Sequence, residues 1–181
     1  MQNPVPQDES IFFASVSPEI MVLRIHGRGS HLNSPALQQV VERRLAEYPN
    51  TRFVIDMANC STMDSTFMGA LAGITLRQSR AGQGKATIVN LNPQARRLLD
   101  ILGLTHVLDV REAIAGETPP DEQFEASPAP QWSKLERTVH MIQSHETLVH
   151  LDDENEVKFE GVLHFLRESL EREKSRLNSQ S

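Results

Sequence analysis

The spacing of hydrophobic residues changes from strand-like to helical near the start of the chain. Two short apolar runs, residues 11–16 and 20–25, flank a polar turn that contains Pro18, and this pattern predicts a β-hairpin. Pro35 then opens a stretch of helical periodicity that is expected to end before Pro49. The apolar face of this predicted helix carries Leu37, Val40, Val41 and Leu45.

The next part of the chain alternates buried-strand patterns with helical ones. Residues 52–57, 86–89 and 106–110 are short apolar runs without polar alternation, which indicates strands that are buried on both faces. Helical patterns occupy residues 65–80 and 93–102 between these runs. The element order β-β-α-β-α-β-α-β predicts an α/β fold with a mixed, mainly parallel sheet that is flanked by helices and starts with a hairpin.

Polar and proline-rich residues separate this body from a helical C-terminal extension. Residues 117–131 contain four prolines and four acidic residues without an apolar period, so we predict a linker there. Residues 132–181 predict an αα-hairpin whose first helix opens with a capping box, Ser133 to Glu136. The apolar face of the hairpin is expected to dock on the body, residues 10–116, or on a second copy of the chain. That face comprises Leu135, Val139, Ile142, Phe159, Val162, Leu166 and Leu170.

Composition restricts the classes of function. The 181-residue chain is 39% hydrophobic and 23% charged, which is typical of one globular domain with an appendage. Residues 1–116 hold 11 basic and 10 acidic side chains, so their net charge is +1. Residues 117–181 hold 7 basic and 14 acidic side chains, so their net charge is −7. Because neither part is basic, no direct nucleic-acid partner is expected. No apolar stretch approaches the ~20 residues of a membrane span, which argues against membrane insertion. A lone cysteine, Cys60, and the lack of a signal-peptide pattern favour a cytoplasmic protein.

Two features resemble chemical motifs without matching them. The segment from His145 to His150 is one residue longer than a zinc-protease motif, so on a helix its histidines would lie ~140° apart. These two residues and His140 are therefore expected on solvated or half-buried helix surface. Cys60 lies in the polar turn predicted over residues 59–64 and is a candidate reactive thiol. Since no complete nucleotide-binding loop or nucleophile motif is found either, the sequence predicts no metal site, no cofactor and no catalytic activity.

The start of the helix predicted over residues 65–80 carries the strongest functional signal. Ser65 falls at or near its N-cap, where a hydroxyl ordinarily accepts a hydrogen bond from a backbone N–H and contributes ~1 kcal/mol without any further function. Phosphorylation would instead add roughly −1.5 to −2 charges beside the positive end of the helix, which favours them. Asp64 would repel the phosphate. The modification is therefore expected to alter the exposed surface more than it stabilises the fold. Gly69 and Gly73, each costing ~1 kcal/mol inside a helix, indicate a face that closely approaches another backbone, of the sheet or of a partner protein.

Four segments give the chain a resemblance to a known family. In order, they are Phe53-Val54-Ile55-Asp56, then Met63-Asp64-Ser65-Thr66 with Gly69, then Thr87-Ile88-Val89-Asn90, and finally Arg96-Arg97-Leu98-Leu99-Asp100-Ile101-Leu102-Gly103-Leu104. Over about residues 10–115 the sequence resembles the STAS family, the domain shared by sulphate-transporter tails and anti-sigma-factor antagonists. The resemblance implies a STAS-like fold for this part of the chain.

The resemblance also implies which residues form the functional site. The family motif reads Asp-Ser-Ser-Gly-Leu-Gly, and Ser65 matches its first serine, which is the phosphate acceptor in phosphorylated members. Thr66 stands for the second serine and is the alternative acceptor, and Phe67 stands for the first glycine as a bulky side chain that is expected to be exposed. The residues implied to bind a protein partner are Asp56, Asp64, Ser65, Thr66, Phe67, Met68 and Gly69.

By this resemblance the protein is expected to act as an anti-sigma factor antagonist in a partner switch. The unphosphorylated domain would bind a serine kinase of the GHKL type that also acts as the anti-sigma factor, phosphorylation of Ser65 would release it, and a PP2C-type phosphatase would reset the switch. ATP and Mg²⁺ would belong to the kinase, so no cofactor is expected in this chain. The alternative is a non-phosphorylated STAS adaptor subunit of a lipid or anion transporter. Homodimerisation through the C-terminal helices is a further possibility.

Overall fold

A six-stranded sheet forms the framework of the structure, a computed structural model that describes residues 10–113 and 116–179. The strands are β1 (Ile11–Ser17), β2 (Ile20–Ile25), β3 (Gly27–Gly29), β4 (Arg52–Asp56), β5 (Cys60–Met63), β6 (Thr87–Val89), β7 (Asp109–Arg111) and β8 (Glu125–Ala126). The helices are α1 (Ser34–Glu47), α2 (Ser65–Arg80), α3 (Pro93–Ile101), α4 (Lys134–Leu151) and α5 (Glu154–Asn178). The main sheet has the strand order β7-β6-β4-β2-β1-β8, and β3 pairs with β5 in a separate two-stranded sheet.

The main sheet is mixed and mainly parallel, as predicted. β1 and β2 form the antiparallel hairpin, whereas β2, β4, β6 and β7 pair with one another in parallel. Parallel neighbours need crossover connections, and α1, α2 and α3 lie in the segments that connect β2 to β4, β4 to β6 and β6 to β7. The predicted α/β fold is therefore confirmed.

Each of the five helices contributes to one hydrophobic core. Its buried members include one residue from each helix in turn, namely Leu37, Leu71, Leu99, Leu148 and Phe159. The opposite face of the sheet carries a much smaller cluster of Val22, Val54 and Val89, against which Phe124 packs. Because residues of β4 are buried in both clusters, this strand shows the uninterrupted apolar run seen in the sequence.

Two parts of the chain form elements that differ from those predicted. Residues 60–63, inside the predicted polar turn, form β5 and pair in parallel with β3. The strand predicted over residues 106–110 begins only at Asp109, because residues 104–106 form a 3₁₀ turn after Gly103, which has a φ of 71°. These short strands carry too few apolar residues to produce a periodic signal.

The segment predicted as a linker lies against the body of the domain. β8 extends the main sheet by pairing antiparallel with β1. Just before β8, Asp121 accepts a 2.6 Å hydrogen bond from Arg24, whose guanidinium carbon also lies 3.9 Å from the centre of the Phe124 ring. The chain therefore enters the C-terminal helices from the β1 edge of the sheet.

α4 and α5 form the predicted C-terminal helices, and they pack on the body of the same chain. The capping box of Ser133 and Glu136 is present at the start of α4, which contacts both α2 and α5. Although α5 has 25 residues, neither it nor any other helix in the described parts of the chain is apolar enough to cross a membrane. Of the predicted apolar face, Ile142, Phe159 and Leu166 are buried and the other four residues are half-buried.

Candidate functional site

The helix that carries the predicted acceptor begins with a capped turn. Asp64 is the N-cap of α2, and its two carboxylate oxygens accept the backbone N–H of Phe67 at 2.9 Å and of His31 at 2.8 Å. Burial opposes ionisation of this carboxyl group, but hydrogen bonds from the His31 ring and from the two backbone N–H groups outweigh it and lower the pKa of Asp64. Asp64 is therefore an anion, and the cap does not use the side chain of Ser65, the first helical residue.

The Ser65 hydroxyl binds a histidine of α4. Its Oγ lies 2.9 Å from Nε2 of His145, and Nδ1 of the same ring lies 2.7 Å from the carbonyl oxygen of Met141. Since a carbonyl oxygen only accepts, Nδ1 carries the ring proton and Nε2 accepts the hydrogen of the Ser65 hydroxyl. Burial lowers the pKa of His145 against the opposing effects of the Met141 hydrogen bond and the Asp64 charge, so the ring is neutral at pH 7.

α4 crosses α2 at Gly69, where the two backbones are too close for a side chain on residue 69. A Cβ atom on Gly69 would lie 2.6 Å from the carbonyl carbon of Ser144 and still closer to its oxygen. The predicted close approach of another backbone is therefore found at Gly69, but that backbone belongs to α4 of the same chain and not to the sheet or to a partner protein, as predicted. At Gly73, one turn later, a Cβ atom would meet nothing within 4 Å, so the prediction is wrong there.

The three residues after the predicted acceptor face the interior. Phe67 is completely buried, with 0% of its surface exposed, so the expectation of an exposed ring is wrong. Its ring fills the space beside Gly29 of β3, where a Cβ atom would lie 2.6 Å from the Phe67 Cδ1 atom. Thr66 and Met68 are buried as well. In this conformation none of the three offers its side chain to a partner.

Asp56 also lies in the interior, at the end of β4. Its carboxylate accepts hydrogen bonds from Arg24 Nε at 3.0 Å, from Asn90 Nδ2 at 2.9 Å and from the N–H of Ala58 at 3.1 Å. These bonds connect the end of β4 to β2 and to the residue after β6. The resemblance implied a partner contact for Asp56, whereas the structure gives this buried carboxylate internal partners.

A second serine–histidine pair, which sequence analysis did not identify, connects α4 to α1. Oγ of Ser34, the first residue of α1, lies 2.9 Å from Nε2 of His140, and both side chains are buried. The expectation that His140 and His145 lie on helix surface is therefore wrong, whereas His150 is exposed. Residues five positions apart on a helix differ by ~140° in direction, so the two buried histidines reach the first turns of two different helices. The five-residue spacing of His140 and His145 is the sequence feature that could have indicated this arrangement.

Cys60 has the environment of a structural residue. Its thiol is buried and donates to the carbonyl oxygen of Thr62 at 3.4 Å. Burial is the main cause that raises the pKa of Cys60, which makes the reactive thiolate less accessible. Within residues 10–113 and 116–179, no three His, Cys, Asp or Glu side chains form a group that could hold a metal ion. The candidate site therefore consists of Asp64, Ser65 and His145.

Comparison with known proteins covers the body of the chain. The model of the family described as STAS domain matches residues 13–116. The anti-sigma F factor antagonist of Paenibacillus polymyxa is 23% identical over 91 residues, which are 50% of this chain and 77% of that protein. α4, which carries the histidine bonded to Ser65, and α5 lie outside the matched residues.

Solved structures share the fold at low sequence identity. The anti-sigma factor antagonist SpoIIAA in its unphosphorylated form has a TM-score of 0.54 at 20% identity, and the match covers 60% of this chain and 91% of that chain. The Bacillus cell fate determinant SpoIIAA in the phosphorylated form has a TM-score of 0.50 at 19% identity, with 60% and 95% covered. At these identities the likeness shows the fold alone.

Proposed function

The chain belongs to the STAS domain family, and from this premise we propose that it is an anti-sigma factor antagonist that works as a phosphorylation-controlled partner switch. The unphosphorylated domain binds an anti-sigma factor that is also a serine kinase of the GHKL type, and phosphorylation of Ser65 releases this partner. A PP2C-type phosphatase removes the phosphate and resets the switch. The likeness to an anti-sigma F factor antagonist supports the assignment.

The main support for the proposal is that Asp64, and not Ser65, caps the start of α2. Asp64 caps the helix, so modification of the Ser65 hydroxyl would not remove the cap. As the first residue of α2, Ser65 lies beside unpaired backbone N–H groups and the positive end of the helix dipole, which favour an added phosphate. The ionised Asp64 opposes that charge, so the phosphate changes the surface of α2 more than it stabilises the helix.

We propose Ser65 as the acceptor of a phosphoryl group rather than as the nucleophile of an enzyme. Its neighbour His145 has an accepting Nε2, as a general base would, but the ring is 3% exposed and packs against Phe159 with ring centres 5.0 Å apart. A substrate would reach Nε2 only if α4 moved. The chemistry of phosphoryl transfer, with its ATP and Mg²⁺, belongs to the kinase.

Phosphorylation of the purified protein tests the proposal most directly. The full chain is incubated with ATP and a serine kinase of the GHKL type from the same organism, and modified residues are mapped by mass spectrometry. We expect phosphate on Ser65, none in Ser65→Ala, and an unchanged level in the control Ser61→Ala, which alters an exposed serine of β5. Modification confined to sites other than Ser65 and Thr66 would contradict the proposal.

Partner binding separates the switch from a second candidate, a non-phosphorylated STAS adaptor subunit of a lipid or anion transporter. The covering of Ser65 by α4 favours this candidate, because a kinase cannot act on a hydroxyl that it cannot reach. If the protein is a switch, Ser65→Asp should weaken binding of the kinase and Ser65→Ala should preserve it. If it is an adaptor, both variants should bind the transporter partner as the wild type does.

A further inference from the structure

We propose that the α4–α5 hairpin is a built-in competitor for the face of α2 that binds the protein partner, so that docking of α4 and modification of Ser65 exclude one another. This inference rests on the proposed role of Ser65. It assigns a regulatory purpose to the part of the chain that the family match does not include. On this proposal, α4 stays beside Ser65 until it moves away or until a helix of the partner takes its place.

α4 covers the acceptor by polar and steric contacts with the first two turns of α2. His145 accepts the Ser65 hydroxyl at 2.9 Å, and the backbone of Ser144 fills the space over Gly69. A kinase must bring the γ-phosphorus of ATP into line with Oγ of Ser65, where the His145 ring now lies. Ser65 is half-buried, and the His145 ring occupies the position beside its hydroxyl, so on this proposal the kinase reacts with Oγ only after α4 has moved away.

Phosphoryl transfer removes the contact that α4 uses at this position. The Ser65 O–H bond breaks, Oγ bonds to the γ-phosphorus of ATP, ADP leaves with the electrons of the cleaved P–O bond, and the proton passes to a base of the kinase. Oγ then has no hydrogen to donate to Nε2 of His145. The phosphate also brings roughly −1.5 to −2 charges to a position enclosed by this neutral ring and by the ionised Asp64. The 2.9 Å distance between Oγ of Ser65 and Nε2 of His145 leaves no space for a phosphate between them, so α4 cannot keep its present position on phosphorylated α2.

The face that α4 occupies is suited to a helix of a protein partner. Gly69 allows another backbone to approach α2 closely, and Ser65 offers a hydrogen-bond donor one turn earlier. α4 matches these features with a small residue, Ser144, next to an acceptor, His145. We therefore expect the kinase to present a helix with a small residue and an accepting side chain at corresponding positions.

Among the described residues, the hairpin is held to the body by a few hydrogen bonds and by apolar side chains, such as Ile142, Leu148 and Phe159, that belong to the same core. Two of these hydrogen bonds are the serine–histidine pairs, and two others lie at the end of α3. There Asn155 Nδ2 donates to the carbonyl oxygen of Leu102 at 3.1 Å, and Lys158 Nζ donates to that of Ile101 at 2.9 Å. β8, which precedes the hairpin, pairs with β1.

Gly69→Ala, with Gly73→Ala as the matched control, tests the inference in the full chain. Both replacements raise the helix propensity of α2, but only a Cβ atom at Gly69 meets the backbone of Ser144. By hydrogen exchange, the α4 amides should exchange about tenfold faster in Gly69→Ala than in Gly73→Ala, while β2 and β4 remain equally protected. Equal protection of α4 in the two variants would overturn the inference.

A second hydrogen-exchange experiment does not require a kinase. Phosphoserine is introduced at position 65 during translation, and hydrogen exchange of this protein is compared with that of the unmodified chain. We expect the α4 amides to lose protection to the extent seen in Gly69→Ala, again with β2 and β4 protected. Full protection of α4 in the phosphoprotein would overturn the inference, whether or not a kinase acts on Ser65.

The kinase reaction distinguishes failure of this inference from failure of the proposed function. The face of α2 stays unchanged in His145→Ala, which removes the ring beside Oγ, and in its matched control His150→Ala, at an exposed position of α4. With ATP and the GHKL kinase, Ser65 should be modified about tenfold faster in His145→Ala than in His150→Ala. Equal rates would overturn the exclusion by α4 and leave the proposed switch intact. Absence of modification at Ser65 in both variants would refute the switch, and the exchange behaviour of the phosphoprotein would then support or overturn the exclusion by itself.

Discussion

Acidification should loosen the C-terminal hairpin, because folding buries the neutral form of His140. This ring is 3% exposed, and its Nε2 lies within hydrogen-bond distance of the Ser34 hydroxyl, at 2.9 Å. Burial is the main cause that lowers the pKa of His140 from 6.5 to about 4. The charge of Arg77 acts in the same direction, whereas the carboxylates of Glu42 and Asp64 oppose it.

The direction of the effect depends on which state binds the proton. Above pH 6.5 the ring of His140 is neutral in both states, so its full contribution to stability is present. Between pH 6.5 and about 4 the unfolded chain binds a proton that the folded chain does not, and stability falls as the pH drops. These two pKa values correspond to a loss of about 2 kcal/mol at pH 5 relative to pH 8.

Urea unfolding followed by Trp132 emission measures this loss, since this single tryptophan packs edge-on against His140 with ring centres 5.3 Å apart. His140→Gln can still form a hydrogen bond with Ser34, as donor or acceptor, but cannot titrate. Its free energy of unfolding should therefore fall by about 2 kcal/mol less than that of the wild type between pH 8 and pH 5. His150→Gln, at an exposed position of the same helix, is the matched control. Equal losses in the wild type and in His140→Gln would refute the reasoning.

Two further substitutions test the packing of the site and of the hairpin. Phe67→Ala should lower the free energy of unfolding by about 3–5 kcal/mol because the ring is fully buried; a loss below about 1 kcal/mol in urea unfolding would mean that the ring is exposed in solution. Leu166→Asp should cost several kcal/mol by burying an unpaired charge, whereas Val157→Asp, at an 83% exposed position of α5, should be nearly neutral. Sedimentation of Leu166→Asp should show an unchanged mass if the hairpin caps its own body, and a shift from dimer to monomer would show that it dimerises.

Local patterns were sufficient to predict most elements of the fold. The apolar runs of β2, β4 and β6 and the stripe on α1 are periodic, and periodicity depends only on residues that are close in sequence. The capping box at Ser133 is local in the same sense. β3, β5 and β8 were not predicted, because they are defined by backbone hydrogen bonds to partner strands, and a partner strand is not visible in the local pattern.

The sequence by itself determined that Ser65 begins a helix after a buried strand, because caps and helical periodicity are encoded by neighbouring residues. Only the tertiary structure decided what surrounds this serine. Phe67 is buried because β3 leaves space for its ring beside Gly29, and His145 meets Ser65 although 80 positions separate them. Contacts of this range form when α4 folds back onto α2, and no spacing along the chain encodes them. Whether the hydroxyl is exposed or covered is therefore decided by the packing of the C-terminal hairpin.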